Sequence, residues 1–560
     1  MHIDETIHGR ILSRADQQPA APAIDFFGRI TSYGELRVES MRLAIDLVSA
    51  GIGKGDVVGM LLPNIPHFPI ATYAINRVGA TALNLNPLYP EHAARFLKLT
   101  NARALITYPN ARVFTRKLAS LLEGSALRLC MFADVAAALP GFLAPLGAVK
   151  QLMDPEWRHY RKRERIYSAS SAEIRRWELG RMGCTEEDDL LFDELYYQFL
   201  RPIEVPSSAT ALLQYTSGST GSPKLAVHTH RGVLANVEQL IGWKPDLREG
   251  KDRFFMAIPF HHIYGNMMMH LALATGSSLA CVPNPFDTAD VVKQLKRSRP
   301  TIFPLIPRLL AKLLESGKLH TGDLTTLETV ICGGDFLQPD LKKRFEDVSG
   351  SRIYRGYGSS EALIVSVERY GDPNVSEGSI GFTLPGIEAR ILNQEEAATA
   401  GSIPGELLVC GPQVMKGYHG DEAESPFCGE WLRTGDIGRQ HADGSYSIVD
   451  RLKRSGRRGS EYFFPAEIDE VLLTHPAVKE GVAIALPDPA YGQQAAVVVV
   501  LNDGWKPNEE TRGNIRGYLQ LHLARPQWPR DIFFRGEPLP RNLLGKVEFF
   551  KVEAEYLNTP

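Results

Sequence analysis

Between about residues 30 and 410, short apolar runs alternate with longer segments whose apolar positions recur at helical spacing. Residues 57–62 are apolar throughout and predict a strand buried on both faces. Residues 70–78 then predict a helix, and 81–85 and 104–107 two further strands. The same strand-then-helix order returns at 300–307 and 308–316, and 328–332 predicts a strand running into Gly333-Gly334. This rhythm predicts βαβ units and largely parallel sheets covered by helices. Near 406–410 the pattern becomes strand-rich with Gly and Pro punctuation, which predicts a small β-subdomain. Residues 446–449 alternate as a strand, and the Gly- and Arg-rich stretch 455–460 that follows is poor in apolar residues. Beyond it, a helix at 465–473, strands at 482–486 and 495–501, and a helix at 509–523 predict a compact α+β unit. The expected fold class is α/β, with a large N-terminal domain over 1–452 and a small α+β C-terminal domain over 453–560.

Composition narrows the function classes. The chain has 560 residues, 44% of them hydrophobic, and a formal net charge of −3, so no global electrostatic case for nucleic acid exists. Its six cysteines are scattered without a CxxC pair, which indicates neither a zinc site nor a disulfide framework. A reducing, cytoplasmic compartment is the expectation. The N-terminus lacks the apolar core of a signal peptide, and no apolar run approaches about 18 residues.

Residues 151–194 stand apart. Arg158, Arg161, Lys162, Arg163, Arg165, Arg175, Arg176 and Arg181 are interleaved with Trp157, Tyr160, Tyr167 and Trp177, and an acidic run, Glu186 to Asp189, follows. Charge runs of this kind are ordinarily solvated surface insertions. The sharper alternative is peripheral contact with an anionic membrane, made by arginines and interfacial aromatics.

The candidate chemistry centres on Tyr215-Thr216-Ser217-Gly218-Ser219-Thr220-Gly221-Ser222-Pro223-Lys224, set between the apolar runs 211–213 and 225–227. Glycines let backbone N–H groups approach an anion, and the hydroxyls add donors. It is a phosphate-gripping loop but not a Walker A loop, because Pro223 precedes the lysine and Leu225 follows it. Tyr357-Gly358-Ser359-Ser360-Glu361 adds an aromatic, two hydroxyls and a carboxylate able to hold Mg²⁺. Gly333-Gly334-Asp335-Phe336 and Thr434-Gly435-Asp436 are glycine turns carrying an acid, and Asp450-Arg451-Leu452-Lys453 closes the last strand expected in the large domain.

Taken together, these segments resemble the adenylate-forming superfamily of acyl-CoA synthetases, luciferases and peptide-synthetase adenylation domains. The resemblance runs from Ile30-Thr31-Ser32-Tyr33 to Lys546. It implies a two-step reaction: a carboxylate attacks the α-phosphate of MgATP to give an acyl-adenylate and pyrophosphate, then a thiol displaces AMP. ATP, Mg²⁺ and CoA are the implied cofactors, and a small-molecule carboxylic acid the implied substrate. It further implies that Thr216, Ser217, Gly218, Ser219, Thr220, Gly221, Lys224 and Ser360 bind phosphates, with Glu361 as metal ligand. Gly334, Asp335 and Tyr357 then belong to the adenine pocket, and Asp436 and Arg451 hold the ribose. Lys546, in Pro540-Arg541-Asn542-Leu543-Leu544-Gly545-Lys546, takes the adenylation lysine's place, and Lys453 the hinge about which a mobile small domain rotates.

Pro259-Phe260-His261-His262-Ile263-Tyr264-Gly265 resembles the superfamily's acyl-pocket segment, with His262 as the catalytic gate and no aspartate to pair a substrate amine. Leu62-Pro63-Asn64-Ile65-Pro66 and Asn86-Pro87-Leu88-Tyr89 resemble bacterial medium- and long-chain fatty acyl-CoA ligases. A fatty acid–CoA ligase is therefore the first expectation. An aryl, alicyclic or dicarboxylic acid–CoA ligase is the second, and a fatty acyl-AMP ligase loading an acyl carrier protein the third. An adenylate-binding module without turnover is opposed by the presence of Lys546, Glu361 and Asp436. Gly456-Arg457-Arg458-Gly459-Ser460-Glu461 departs from the superfamily by lacking its first apolar anchor and adding two arginines, and Leu544 replaces the usual small hydroxyl residue. Arg457, Arg458 and Gly459 are the candidate CoA contacts.

Overall fold

The computed structural model describes residues 5–87, 90–108, 125–135, 138–140, 173–177 (backbone alone), 200, 203–216, 224–248, 250–372, 374–376, 378–392, 404–420, 425–458, 461–541 and 547–557. Two large sheets dominate. A seven-stranded sheet runs in the order Glu173–Trp177, Leu129–Ala133, Ala104–Thr107, Val57–Leu61, Thr81–Asn84, Thr210–Tyr215, Leu225–Thr229, parallel except for the last pair. A nine-stranded sheet has a parallel centre (Arg352–Ser359, Thr329–Gly333, Ile302–Leu305, Arg253–Met256, Ser278–Cys281, Pro22–Phe26) and antiparallel edges. The helical layer, including Ile7–Gln17, His67–Arg77, His230–Trp243 and Ile263–Ala274, shares one hydrophobic core with strands of both sheets. That explains why Val57–Leu61 and helix Ile263–Ala274 are buried at every position: each has protein on all sides.

The expected β-subdomain is an antiparallel sheet of Glu388–Leu392, Gly405–Cys410, Trp431–Gln440, Phe427–Cys428 and Tyr446–Arg451. The C-terminal unit centres on strand Gly492–Leu501. Ala495, Val497 and Val499 face one core with Ile468, Leu472, Ile515 and Leu519. Ala496, Val498 and Val500 face another with Leu539 and Val552. Burial on both faces is the reason this strand is apolar without alternation.

Two elements differ from expectation. Residues 173–177, inside the stretch predicted as a surface insertion, form an edge strand parallel to Leu129–Ala133. Strand Asp531–Phe534 has no repeat long enough to signal itself and forms by parallel pairing with Gly492–Leu501. The rest of 151–194 lies outside the described residues. Among the described residues no helix is long and apolar enough to cross a membrane.

Candidate active site

The two apolar runs flanking the glycine-rich loop are antiparallel strands, with Tyr215 opposite Leu225. The feet of the loop are fixed by Thr216, whose N–H donates to the Lys224 carbonyl at 2.8 Å and whose Oγ1 accepts from the Lys224 N–H at 3.3 Å. Ser217, Gly218, Ser219, Thr220 and Gly221 lie outside the described residues.

The structure brings the Tyr357–Glu361 motif to these feet. Ser360 Oγ donates to the Tyr215 carbonyl at 3.3 Å. The buried His228, on the strand leaving the loop, donates through Nε2 to the Ser360 carbonyl at 2.7 Å. Burial pushes the His228 imidazole down to about 4, so it stays neutral at physiological pH. Gly358 occupies a bulge where an added Cβ would lie 2.1 Å from the Leu363 carbonyl, so only glycine fits. Ser359 Oγ caps the turn by accepting from the N–H groups of Glu361 and Ala362. Glu361 is thereby presented toward Tyr418, whose hydroxyl donates to Glu361 Oε1 at 2.9 Å and whose ring centre lies 4.7 Å from Lys224 Nζ. Among the described residues no cluster of three or more His, Cys, Asp or Glu could hold a metal ion. A lone carboxylate suits Mg²⁺, which binds through one or two carboxylates and otherwise through substrate phosphates and water.

A second cluster forms where the β-subdomain meets the nine-stranded sheet. Tyr357 Oη donates to Asp436 Oδ2 at 2.5 Å, and Arg451 Nε pairs with Asp436 Oδ1 at 2.7 Å. Asp436 and Arg451 face each other across paired strands. Thr434 Oγ1 holds the Asp436 N–H at 3.1 Å while donating to the Leu407 carbonyl. Glu406 accepts from the Gly435 N–H and from the Arg433 guanidinium. Burial, then the Asp436 charge, holds the Tyr357 phenol well above its ordinary value, so it remains a donor. Parallel register sets Gly333 beside Gly356, which brings the Gly334-Asp335 turn next to Tyr357. Gly334 adopts φ +89°, a conformation suited to glycine. Asp335 is exposed, and its Oδ1 accepts from the Phe336 N–H at 3.0 Å.

The Pro259–Gly265 segment is held by a residue whose role the sequence did not disclose. Asn64 donates to the carbonyls of Met256 and Ile258 and accepts from the Phe260 N–H at 2.7 Å. Gln214, on the strand before the glycine-rich loop, donates to the His261 carbonyl at 3.0 Å. These long-range bonds join residues about 190 and 47 positions apart, a separation that periodicity does not encode. His262 caps helix Ile263–Ala274, its Nδ1 accepting from the Tyr264 N–H at 3.3 Å. Tyr264 Oη donates to the Ile331 carbonyl at 2.7 Å, tying this segment to the strand that ends at Gly333. Met267, Met268 and Met269 are fully buried in the common core.

At the start of the small unit, Lys453 is exposed in the turn after strand Tyr446–Arg451. Arg457 and Arg458 lie on a hairpin of Gly456–Arg458 with Glu461–Phe463. The Arg457 guanidinium lies 5.7 Å from the Tyr462 ring centre, and that of Arg458 4.8 Å from the Tyr491 ring centre. Gly456 has no room for a side chain, because a Cβ would enter the buried Phe463 ring. Gly459 and Lys546 lie outside the described residues. The chain on either side of Lys546 is closed by a bridge between Arg541 and Val547. Across the boundary, Asp450 Oδ2 accepts from the Ala466 N–H at 2.8 Å, at the start of helix Pro465–Leu472.

Residues 12–419 match the family model described as AMP-binding enzyme, and residues 467–546 the one described as AMP-binding enzyme C-terminal domain. The chain is 30% identical over 550 residues to the long-chain-fatty-acid–CoA ligase of Bacillus subtilis (strain 168), covering 97% of this chain and 93% of that relative. It is 27% identical over 533 residues to 4-coumarate–CoA ligase 3 of Oryza sativa subsp. japonica, covering 93% and 86%. Among solved structures, ATP-bound MatB from Rhodopseudomonas palustris matches with a TM-score of 0.78 at 23% identity, over 99% of each chain. A benzoate CoA ligase from Burkholderia xenovorans LB400 matches with a TM-score of 0.75 at 22% identity, over 98% of this chain and 100% of that one. The expected architecture of a large N-terminal unit with parallel sheets and a small C-terminal unit is the fold these structures share.

Proposed function

The chain belongs to the AMP-binding enzyme family and is an acid–thiol ligase acting through an acyl-adenylate, and from that premise we propose that its acid is a fatty acid and its thiol CoA. The observation that carries the fatty-acid reading is the 30% identity, across 97% of this chain, to a relative named for that acid. Helix Ile263–Ala274, next to the acyl-pocket segment, supports it. Its 12 residues include no Asp, Glu, Lys or Arg, and its one histidine, His270, is held down to about 3 by burial. An apolar helix beside this segment brings no cation for a second carboxylate and no acid for an amine, which is compatible with an apolar chain.

In the first step an oxygen of the acid attacks the α-phosphorus, and the bond to pyrophosphate breaks. Lys224 and the loop donors offset phosphate charge, Asp436 and Arg451 position the ribose, and Tyr357 flanks the adenine. Positioning and charge neutralisation do most of the work in such a transfer. Magnesium, when bound, supplies further neutralisation of the phosphates, and Glu361 is the residue that would hold it. Lys546 completes the adenylation site. In the second step the CoA sulfur attacks the acyl carbon and AMP leaves. We place the domain boundary at 452/453, with Lys453 as the hinge that lets the small domain serve both steps. Arg457 and Arg458 then meet phosphates of CoA.

The test is a panel of acids in ATP–pyrophosphate exchange, followed by product formation with CoA and with a phosphopantetheinylated carrier protein. Long-chain acids should lead, with acyl transfer to CoA. Arg457→Ala with Arg458→Ala should slow thioester formation and leave exchange intact. Preference for 4-coumarate or benzoate would overturn the fatty-acid reading. Transfer to the carrier protein with none to CoA would overturn the thiol.

A further inference from the structure

Tyr418 occupies a place that neither the phosphate loop nor the Tyr357–Glu361 motif accounts for. Its short segment is stitched to both. The Met415 N–H donates to the Glu361 carbonyl at 2.8 Å. The Lys416 N–H donates to the Val227 carbonyl, the Val227 N–H to the Gly417 carbonyl, and the His419 N–H to the Leu225 carbonyl. An antiparallel bridge sets Tyr418 opposite Ala226, two residues beyond Lys224. The backbone that carries Tyr418 is therefore fixed relative to both motifs. The Tyr418 hydroxyl donates to Glu361 Oε1 at 2.9 Å, and the ring lies 4.7 Å beneath Lys224 Nζ.

A carboxylate on a three-torsion side chain has considerable rotamer freedom, and a metal site gains affinity when that freedom is removed beforehand. A bond to one oxygen fixes the carboxylate plane and leaves acceptor capacity on both oxygens. The ring face meanwhile attracts the lysine ammonium, so one side chain contacts both groups. We infer that Tyr418 is a positioning residue: its hydroxyl orients Glu361 toward the metal of the nucleotide, and its ring holds Lys224 in register with it. The inference rests on the reading of Glu361 as the magnesium-holding carboxylate.

The test measures binding rather than turnover. An ATP analogue with a methylene bridge between the α- and β-phosphates cannot be adenylated. Its dissociation constant is measured calorimetrically on the full chain, with excess magnesium and with EDTA. The variants are Tyr418→Phe, Glu361→Ala and the double substitution. Tyr418→Phe keeps the ring over Lys224 and should keep the melting temperature. It should weaken the magnesium-dependent complex by about tenfold, as loss of a ligand-orienting partner does, and leave the EDTA value nearly unchanged. On the Glu361→Ala background it should add nothing. Equal weakening with and without magnesium, or the same loss in the absence of Glu361, would overturn the positioning role while leaving the Glu361 reading intact. If Glu361→Ala kept the whole magnesium increment, the metal reading and the inference would fall together.

Discussion

Replacing Asp436 by alanine strikes at the centre of the cluster we propose for the ribose. The side chain is 3% exposed, and its two oxygens accept from the Tyr357 hydroxyl at 2.5 Å and pair with the Arg451 guanidinium at 2.7 Å. Each oxygen retains a lone pair, so the carboxylate can serve ribose hydroxyls while keeping both internal partners. Its removal withdraws a charged acceptor worth about 1.5–3 kcal/mol to a hydroxyl, or about 10- to 150-fold in ATP affinity. Folding is affected as well. The Arg451 side chain is 45% exposed, so water screens the charge left behind, but the buried Tyr357 hydroxyl loses its acceptor, and a loss of about 1–3 kcal/mol is expected. Asp436→Asn separates charge from shape. Tyr357 and Arg451 address different oxygens of Asp436, so in the amide whichever of them meets the NH2 group faces a donor instead of an acceptor. The asparagine variant should therefore also bind ATP more weakly than the wild type. The assay is calorimetric ATP titration beside thermal melting. An unchanged dissociation constant for the alanine variant, measured well below its melting temperature, would refute the assignment of Asp436 to the ribose.

Three further outcomes are expected. Lys546→Ala should lower ATP–pyrophosphate exchange by about 10²- to 10³-fold, yet spare thioester formation from supplied acyl-adenylate; near-normal exchange would remove Lys546 from the chemistry. Stability should fall as pH drops below the ordinary histidine range, because burial holds His67, His261 and His270 down to about 3 and His228 and His230 down to about 4. A depressed folded-state value means that the unfolded chain takes up protons first. This stability is full above about 6.5 and declines toward 4, by about 2 kcal/mol per histidine at pH 5; equal melting temperatures at pH 7 and 5 would contradict it. Gly265→Ala should destabilise by at least about 1–3 kcal/mol in denaturant unfolding, since the new Cβ would sit 2.3 Å from the Pro259 carbonyl; a neutral result would show that helix Ile263–Ala274 can shift.

Much of the proposed site lay in contiguous residues, because the groups we assign to one phosphate chain or one ribose are carried on short turns. The strands bounding the glycine-rich loop showed in their apolar runs, and the Thr434-Gly435-Asp436 turn in its residue types. The βαβ rhythm and the all-apolar strand 495–501 likewise followed from burial on both faces, which sequence records as an absence of alternation. Pairing across distance was not recorded. Nothing local to Asn64 tells that it clamps 256–260, nor does Tyr418 announce its hydroxyl on Glu361, since each bond exists only after two separate sheets have closed on each other. Edge strand 173–177 was hidden for the same reason: its charged sequence carries no alternation, and a strand is defined by the neighbour that supplies its hydrogen bonds. Sequence determined which chemistries were present and on which turns they were mounted. Tertiary structure decided which of those turns face one another, because strand register and helix packing, not residue type, set the distances between them.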